Sequence, residues 1–319
     1  MKLQTIFSGA HFADGAKQAK FQPPWWLQII LFVLVFSVAQ TPQSFVIIAV
    51  VIVKIVMDKS IEGADEISQA LKSMLMNPTG DILIAQLLST LLPAVLVIIY
   101  CRFIERRSLN SMGFVKKGFA VKYLIGLAAG FAMFSATLLI SYALGAAKYV
   151  GTDLNNGVMF ALMCVGWLIQ GAEEEILCRG YFMPSLSQKL PLWAAALISS
   201  VFFSLLHIMN AGFNLIVFVN LTLTGIMFAV LAIRFDSLFV CCAAHSIWNL
   251  VQGNFYGLPV SGMDAGVSVF RFELAENMEL WTGGMFGLEG SLSETIVMVI
   301  VIAAAVFIPK KNKNAEISA

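Results

Sequence analysis

The sequence predicts an all-α fold, a polytopic membrane bundle of about eight transmembrane helices, and composition and hydropathy are the observations that predict it. Of the 319 residues, 59% are hydrophobic and 12% are charged, and the mean hydropathy is +0.84. A soluble domain carries about twice that charged fraction. The apolar runs are too long and continuous for two soluble domains, each with its own hydrophobic core. Residues 1–319 are therefore expected to form a single membrane domain. The net charge is only +1, which is too small a positive charge to bind the phosphate backbone and excludes a nucleic-acid partner.

Stretches without charged residues place the predicted helices along the chain. Residues 21–53 are interrupted only by a polar cluster around Pro42, which indicates one long kinked helix or, as an alternative, two half-helices. The stretch 190–233 divides into two helices at the break 210–214. The other predicted helices cover residues 82–101, 123–147, 155–172, 237–256 and 295–308. The segment 61–76 is predicted to be either an amphipathic helix on the membrane surface or a solvated loop helix.

Basic residues are distributed unevenly between the two sides of the predicted bundle. If successive loops alternate sides, most of the 20 lysine and arginine residues fall on the side that holds both termini. The other side receives an acidic loop around 264–289. Because basic loops stay in the cytoplasm, residues 1–20 and 310–319 are predicted to be cytoplasmic tails. The favoured location is a bacterial cytoplasmic membrane, with an intracellular membrane as the alternative.

A cluster of charges interrupts the apolar pattern after the fourth predicted helix. Its members are Glu173, Glu174, Glu175 and Arg179. A charge at the bilayer centre costs about 2.5 to 3.5 kcal/mol on insertion scales, which makes the cluster a candidate functional site. Glu175 and Arg179 have the i, i+4 spacing of a helical ion pair, whereas Glu174 points about 100° away around the helix. The alternative is a solvated cluster in the headgroup region.

Two histidines fall inside predicted apolar helices. Taken alone, His207 and His245 could each be a core histidine bonded to a nearby carbonyl. Helices four and five form a hairpin about Leu190, and Glu174 and His207 are nearly equidistant from it, so antiparallel packing places them at one depth. His245 lies deep enough in helix seven to reach them, and Asn249 follows one turn later on the same face. We therefore predict that these side chains meet within the membrane.

Three short motifs follow one another on predicted helices four, five and seven. They are 174–179 (EEILCR), 203–207 (FSLLH) and 245–249 (HSIWN). In this order they resemble the EExxxR, FxxxH and HxxxN pattern of the type II CAAX prenyl endopeptidases and their bacterial relatives, the CAAX protease and bacteriocin-processing family. The resemblance covers about residues 159–252. Cys178 departs from the family, which usually has an aromatic residue there, and this difference affects packing rather than chemistry.

The resemblance implies intramembrane endopeptidase activity, with a catalytic core at about residues 155–255. Glu174 matches the catalytic glutamate, and a carboxylate in a low-dielectric cavity can act as a general base toward water. His207 would hold the same water. His245 and Asn249 would donate hydrogen bonds to the oxyanion of the tetrahedral intermediate. The remaining motif residues would hold these groups in position without contacting the substrate, and they are Glu175, Arg179 and Phe203.

Other chemistries remain open for the same residues. Two histidines and a glutamate are also a catalytic zinc set, so a zinc-dependent metalloprotease is the alternative to catalysis without a cofactor. Metal-free catalysis is favoured because the sequence lacks HExxH. A non-enzymatic immunity or transport protein is a second alternative, although the sequence shows no paired broken helices. Serine chemistry is disfavoured by the lack of a GxSxG elbow, and the five cysteines form no CxxC pair that would predict a disulfide or zinc ribbon.

The predicted partners are the lipid bilayer and a membrane-associated protein or peptide substrate. Reactive groups that lie below the membrane surface need a scissile segment that can leave helical form and enter the cavity. An extended stretch near a chain terminus or beside a membrane helix fits this requirement. Apolar residues or a lipid anchor beside the cut would add binding energy, which agrees with the CAAX-type substrates that the resemblance implies.

Overall fold

The computed structural model describes residues 10–61, 63–76, 78, 80–154 and 156–307, and it is 73% helical. The α-helices are α1 (His11–Ala16), α2 (Trp25–Met57), α3 (Ala64–Met76), α4 (Gly80–Ser89), α5 (Leu91–Ile99), α6 (Phe119–Ala143), α7 (Gly157–Glu175), α8 (Met183–Leu186), α9 (Leu192–Leu205), α10 (Leu215–Phe235), α11 (Leu238–Leu250), α12 (Glu279–Thr282) and α13 (Leu292–Phe307). The π-helical segments Tyr100–Ile104, Ile176–Phe182 and Val251–Phe255 extend α5, α7 and α11. The strands are β1 (Ala147–Asp153) and β2 (Ser268–Leu274).

Four helical stretches of the described residues are long and apolar enough to cross a membrane, namely α2, Gly80–Ile104, α6 and α10. α9 and α13 are shorter apolar helices. Eight crossings are not confirmed, because α7 ends in three glutamates and α11 has 13 residues. α2 is a single helix of 33 residues with Pro42 inside it, which confirms one long helix rather than two. The segment 61–76 contains a helix, α3, with no buried residue.

Two glycines let α11 approach its neighbours closely. A Cβ atom on Gly130 of α6 would lie 2.2 Å from the carbonyl oxygen of Ala244. A Cβ atom on Gly171 of α7 would lie 2.6 Å from the backbone nitrogen of Ser246. Neither contact tolerates a side chain, so small residues set the distance between these helices. The packing holds α11 between α6 and α7, which places His245 beside the glutamates of α7.

A small antiparallel sheet corrects the all-α prediction. Ala147 of β1 lies opposite Leu274 of β2, and Tyr149 lies opposite Phe272. The rings of Tyr149 and Phe272 are 5.5 Å apart, a cross-strand aromatic contact of the kind that stabilises sheets. The alternation of aromatic and charged residues over 270–273 is a strand pattern. β2 lies in the segment that was interpreted as an acidic loop. β1 begins where the third helix was predicted to end, because α6 ends at Ala143 rather than at residue 147.

The N-terminal segment packs against the bundle from residue 10 onward, although 1–20 was predicted to be a tail. Phe12 of α1 is 2% exposed, and its backbone N–H donates to Asp236 Oδ1 at 3.3 Å. The backbone N–H of Lys20 donates to the main-chain oxygen of Glu105 at 3.1 Å. The rest of that predicted tail, residues 1–9, and the predicted tail 310–319 lie outside the described residues.

A buried ion pair joins the end of the second span to the segment that follows α7. Arg107 Nε lies 2.8 Å from Glu105 Oε2, and Arg107 Nη2 donates to the main-chain oxygen of Gly180 at 3.2 Å. Ser185 Oγ donates to Glu105 Oε1 at 3.2 Å. Burial raises the pKa of the Glu105 carboxyl, and Arg107 and Ser185 oppose this effect. The pair thereby fixes the π-helical segment that carries Arg179.

Candidate active site

The polar side chains that were predicted to meet line one cavity of about 230 Å³. Glu174 belongs to α7, and His207 lies just beyond the end of α9. His245 and Asn249 lie one turn apart on α11. The rest of the wall includes residues from α2, α4 and the turn 260–263. The structure therefore brings together groups that are up to 75 positions apart in the sequence.

The two oxygens of Glu174 have different surroundings. Gln170 Nε2 donates to Oε1 at 2.6 Å. Oε2 lies 3.7 Å from His245 Nε2 and 3.9 Å from His207 Nε2, and it has no hydrogen-bond partner among the described residues. These separations exceed those of direct hydrogen bonds. Gln170 thus fixes the carboxylate so that one oxygen faces both imidazoles.

Both imidazoles are held through Nδ1 and direct Nε2 toward Glu174. His207 Nδ1 donates to the main-chain oxygen of Phe203 at 2.9 Å, since a carbonyl can only accept. His245 Nδ1 lies 3.0 Å from Glu175 Oε1 and is bonded to that carboxylate. A hydrogen bond at one ring nitrogen determines the chemistry of the other. In the neutral form each Nε2 is an acceptor, and in the imidazolium form it is a donor.

Glu175 and Arg179 form the predicted i, i+4 ion pair, with Nη1 and Oε1 3.0 Å apart and both side chains fully buried. Arg179 Nη2 donates to the main-chain oxygen of Gly225 at 2.9 Å. Arg179 lies in the π-helical continuation of α7, a type of irregularity that is frequent at functional sites. Glu175 Oε1 therefore interacts with two cationic or ionisable groups at once, Arg179 and His245.

Aromatic rings enclose this ion pair and the imidazoles. The Phe203 ring lies 4.6 Å from Arg179 Cζ, and its centroid lies 5.1 Å from that of His207 and 5.8 Å from that of His245. Phe228 of α10 stacks on the His245 ring at 4.8 Å. Phe228 is outside the three motifs, and no signal in the sequence identified it. These rings exclude water from the cluster and restrict the rotation of His245.

Gln170 is a site residue that the sequence analysis missed. It donates to Glu174, and its Oε1 accepts from Asn249 Nδ2 at 2.8 Å. A continuous chain of hydrogen bonds thus runs from Asn249 through Gln170 to Glu174. The i, i+4 spacing of Gln170 and Glu174 on one helix was the signal that could have found it.

The third acid of the cluster, Glu173, lies apart from the imidazoles. It is 3% exposed, and its Oε1 accepts from Gln40 Nε2 of α2 at 3.3 Å. The second oxygen of Glu175 and that of Glu174 are both buried without a hydrogen-bond partner among the described residues. Glu173 and Glu175 are buried and the Glu174 side chain is 18% exposed, so the described structure does not support a fully hydrated cluster.

Glu174 Oε2 and the two Nε2 atoms are donor types that zinc accepts. Among the described residues, however, no group of three or more His, Cys, Asp or Glu side chains is arranged to hold a metal ion. All five cysteines are described and are free thiols. We derive no step through a metal from this arrangement.

A family model described as Type II CAAX prenyl endopeptidase Rce1-like matches residues 156–251. The match includes all three motifs and confirms the resemblance inferred from them. Comparison with curated proteins and with solved structures gives no match. This family is a protease family, and the apolar helices are those of an integral membrane protein. The class defined by fold and site is therefore a membrane protein with a CAAX-protease-like segment.

Proposed function

We propose that this protein is an intramembrane endopeptidase that hydrolyses a peptide bond of a membrane-associated or hydrophobic protein, with Glu174 activating the water. The observation that carries the proposal is the orientation of the Glu174 carboxylate. Oε1 is held by Gln170, and Oε2 faces the Nε2 atoms of His207 and His245 at 3.9 and 3.7 Å. A carboxylate fixed through one oxygen can use the other to take a proton from water.

The proposed reaction needs water and no cofactor. The water donates one proton to Glu174 Oε2 while the water oxygen bonds to the carbonyl carbon of the scissile peptide. The π electron pair of the C=O bond moves onto the carbonyl oxygen. Glu174 then passes the proton to the leaving nitrogen, the oxyanion re-forms the C=O bond, and the C–N bond breaks with its electron pair going to the nitrogen. The products are a new carboxylic acid and a new amine, and the Glu174 carboxylate is restored.

His245 and Asn249 are proposed to stabilise the oxyanion. The bond from His245 Nδ1 to the Glu175 carboxylate favours an imidazolium, whose Nε2–H donates into the cavity. Asn249 uses one N–H on Gln170 and retains a second for the intermediate. A donor aimed directly at the oxyanion contributes about 3 to 4 kcal/mol, and Asn249, which also bonds to Gln170, is expected to contribute less than His245. His207 donates through Nδ1 to a carbonyl and presents Nε2 to the cavity, which suits a role in holding the water.

The proposed substrate is an extended segment near a chain terminus or beside a membrane helix, with apolar residues next to the cut. An intact transmembrane helix keeps its backbone hydrogen-bonded internally and does not offer its carbonyl carbon to a buried site. Apolar groups beside the cut add about 0.8 kcal/mol per buried methylene. A CAAX-type C-terminal segment has these properties, and the family match supports it.

This function is tested by mapping cleavage products. Membranes containing the wild type or Glu174→Gln would be analysed by mass spectrometry for new chain ends. We expect new ends with the wild type alone, concentrated near termini and in juxtamembrane stretches. Equal cleavage by the variant would contradict the role of Glu174. Cuts concentrated at the centre of stable transmembrane helices would contradict the substrate class.

Metal content separates this mechanism from the zinc alternative. We expect elemental analysis of the purified protein to give far less than one zinc per chain and chelators to leave activity unchanged. One zinc per chain together with loss of activity to chelators would decide for a metalloprotease.

The proposed orientation places the basic loops in the cytoplasm. In intact cells, a cysteine introduced at Lys116 should be protected from an impermeant thiol reagent, and one at Asp264 should be labelled. The native cysteines are buried or half-buried, which keeps the background low. The reverse labelling pattern would place the termini outside.

A further inference from the structure

Part of the cavity wall comes from helices outside the matched segment 156–251. α2 contributes Gln40 and Gln43, and α4 contributes Gln86. Gln40 and Gln43 belong to the polar cluster that interrupts the first apolar stretch of the sequence. Polar side chains in membrane helices are costly unless a partner satisfies them. The three glutamines at this cavity therefore need hydrogen-bond partners.

Gln43 has an incomplete set of partners. It is 7% exposed, and its Nε2 donates to the main-chain oxygen of Gln86 at 3.2 Å. Its Oε1 is buried and has no hydrogen-bond partner among the described residues. A buried acceptor without a donor is destabilising, and such groups require an explanation in a native structure. Because Gln43 lines the cavity, a ligand that brings an N–H beside it would supply the missing donor.

Gln40 connects this wall to the reacting groups. Its Nε2 donates to Glu173 Oε1 at 3.3 Å, and Glu173 precedes Glu174 in α7. Gln40 and Gln43 are three residues apart on α2, so they are neighbours on the same face of that helix. The α2 glutamines are thereby linked through Glu173 to the helix that carries Glu174.

The chemistry of this wall selects a class of ligand. A carboxamide offers both donors and an acceptor, and an extended peptide backbone offers N–H and C=O groups in alternation. Inside a membrane each of those backbone groups needs a partner. A hydrocarbon chain makes no hydrogen bonds, and a hard cation prefers a shell made wholly of oxygen atoms. A peptide backbone is the ligand that matches.

We propose that Gln43, together with Gln40 and Gln86, binds the backbone of the substrate beside the scissile bond, with Gln43 Oε1 accepting a peptide N–H. This inference rests on the proposed endopeptidase function. The same bond is made before and during the reaction, so its loss raises KM and leaves kcat nearly unchanged. Recognition through the backbone is independent of substrate side chains, as in the pairing of a peptide with a sheet edge.

The test uses purified full-length protein and an apolar peptide that the wild type cleaves. Analogues of this peptide carry an ester oxygen in place of one backbone N–H at a time near the cleaved bond. One ester position is expected to lower kcat/KM about fivefold in the wild type, mainly through KM. Gln43→Leu should lower it about equally for the all-amide peptide. The ester and the variant combined should give no further loss, because both remove the same hydrogen bond.

Thr41→Val is the matched control. Thr41 is exposed on the same turn of α2, and its hydroxyl donates to the main-chain oxygen of Ser37. The control should keep the wild-type KM and the full effect of the ester.

Three results have distinct meanings. Additive losses from Gln43→Leu and the ester would overturn the proposed backbone contact. The ester peptides can also be tested on the wild type alone. If no ester position lowers kcat/KM, the proposed backbone contact is wrong. A wild-type protein that cleaves no peptide would instead overturn the endopeptidase function.

Discussion

Glu174 and Glu175 are adjacent in the sequence and belong to two different regions of the molecule. Glu175 lies in a closed cluster, where its fully buried side chain shares Oε1 between Arg179 and His245 at 3.0 Å each. The Glu174 side chain is 18% exposed, lines the cavity and leaves Oε2 without a hydrogen bond among the described residues. The comparison teaches that hydrogen-bond partners, rather than residue type or depth alone, separate a structural carboxylate from one positioned for chemistry.

His245 connects the two regions. Its Nδ1 is bonded to Glu175 in the closed cluster, while its Nε2 faces Glu174 across the cavity. The ion pair with Arg179 holds Glu175 in place, and Glu175 in turn orients the imidazole. A change in the closed cluster should therefore act on stability first and on activity through His245 second.

The largest effect is expected in the closed cluster. Glu175→Gln removes the counter-charge of Arg179 inside the protein, and breaking a buried pair in this way costs about 3 to 5 kcal/mol. We expect the free energy of unfolding in detergent to fall by that amount. The double variant Glu175→Leu/Arg179→Met removes both charges and should recover much of the loss. A Glu175→Gln protein as stable as the wild type would show that the cluster is not structural.

The next effect is expected at the imidazoles that face the cavity. His207→Ala and His245→Ala should each lower turnover at least about a hundredfold, because they remove a group that contacts the proposed water or oxyanion. His11→Ala is the matched control, since His11 is exposed on α1 and far along the chain from the motifs. Rates would be measured on folded protein isolated by size-exclusion chromatography. Turnover within a few fold of the wild type in either variant would contradict the role assigned to that histidine.

A smaller effect is expected along the hydrogen-bond chain that orients Glu174. Gln170→Leu should lower turnover about tenfold and Asn249→Ala somewhat more, since Asn249 is also a proposed oxyanion donor, and the double variant should lose less than the product of the two single losses. The losses overlap because Asn249 bonds to Gln170, which bonds to Glu174. Fully additive losses, measured as kcat/KM in a double-mutant cycle, would indicate that the two residues act independently.

Much of the site could be predicted because its spacing is local. Glu175 and Arg179 are one helical turn apart, as are His245 and Asn249. Helix periodicity fixes these relations before any tertiary contact forms. The long first helix was predictable for a different reason, because residues 21–53 contain no charged residue.

The remaining features depend on contacts between distant segments. The sheet needs β1 and β2 to pair across more than a hundred residues, and one short alternating strand resembles a polar loop. Phe228 reaches His245 because α10 packs there, and hydropathy alone does not predict which face does so. The predicted eight crossings were not confirmed for a different reason. The helices that carry the site are short or contain charged residues, so length and hydropathy do not mark them as membrane spans. Their polar groups are satisfied by partners within the protein, which lets such residues lie inside the bundle.

The most direct test of the central claim is the turnover of Glu174→Gln per folded molecule, measured on a peptide that the purified wild type cleaves. The variant keeps the shape of the side chain and can still bond to Gln170, but it cannot take a proton from water. We predict a rate at least about a hundredfold lower with an unchanged melting temperature. A folded Glu174→Gln protein that cleaves at close to the wild-type rate would contradict the assignment of Glu174 as the general base.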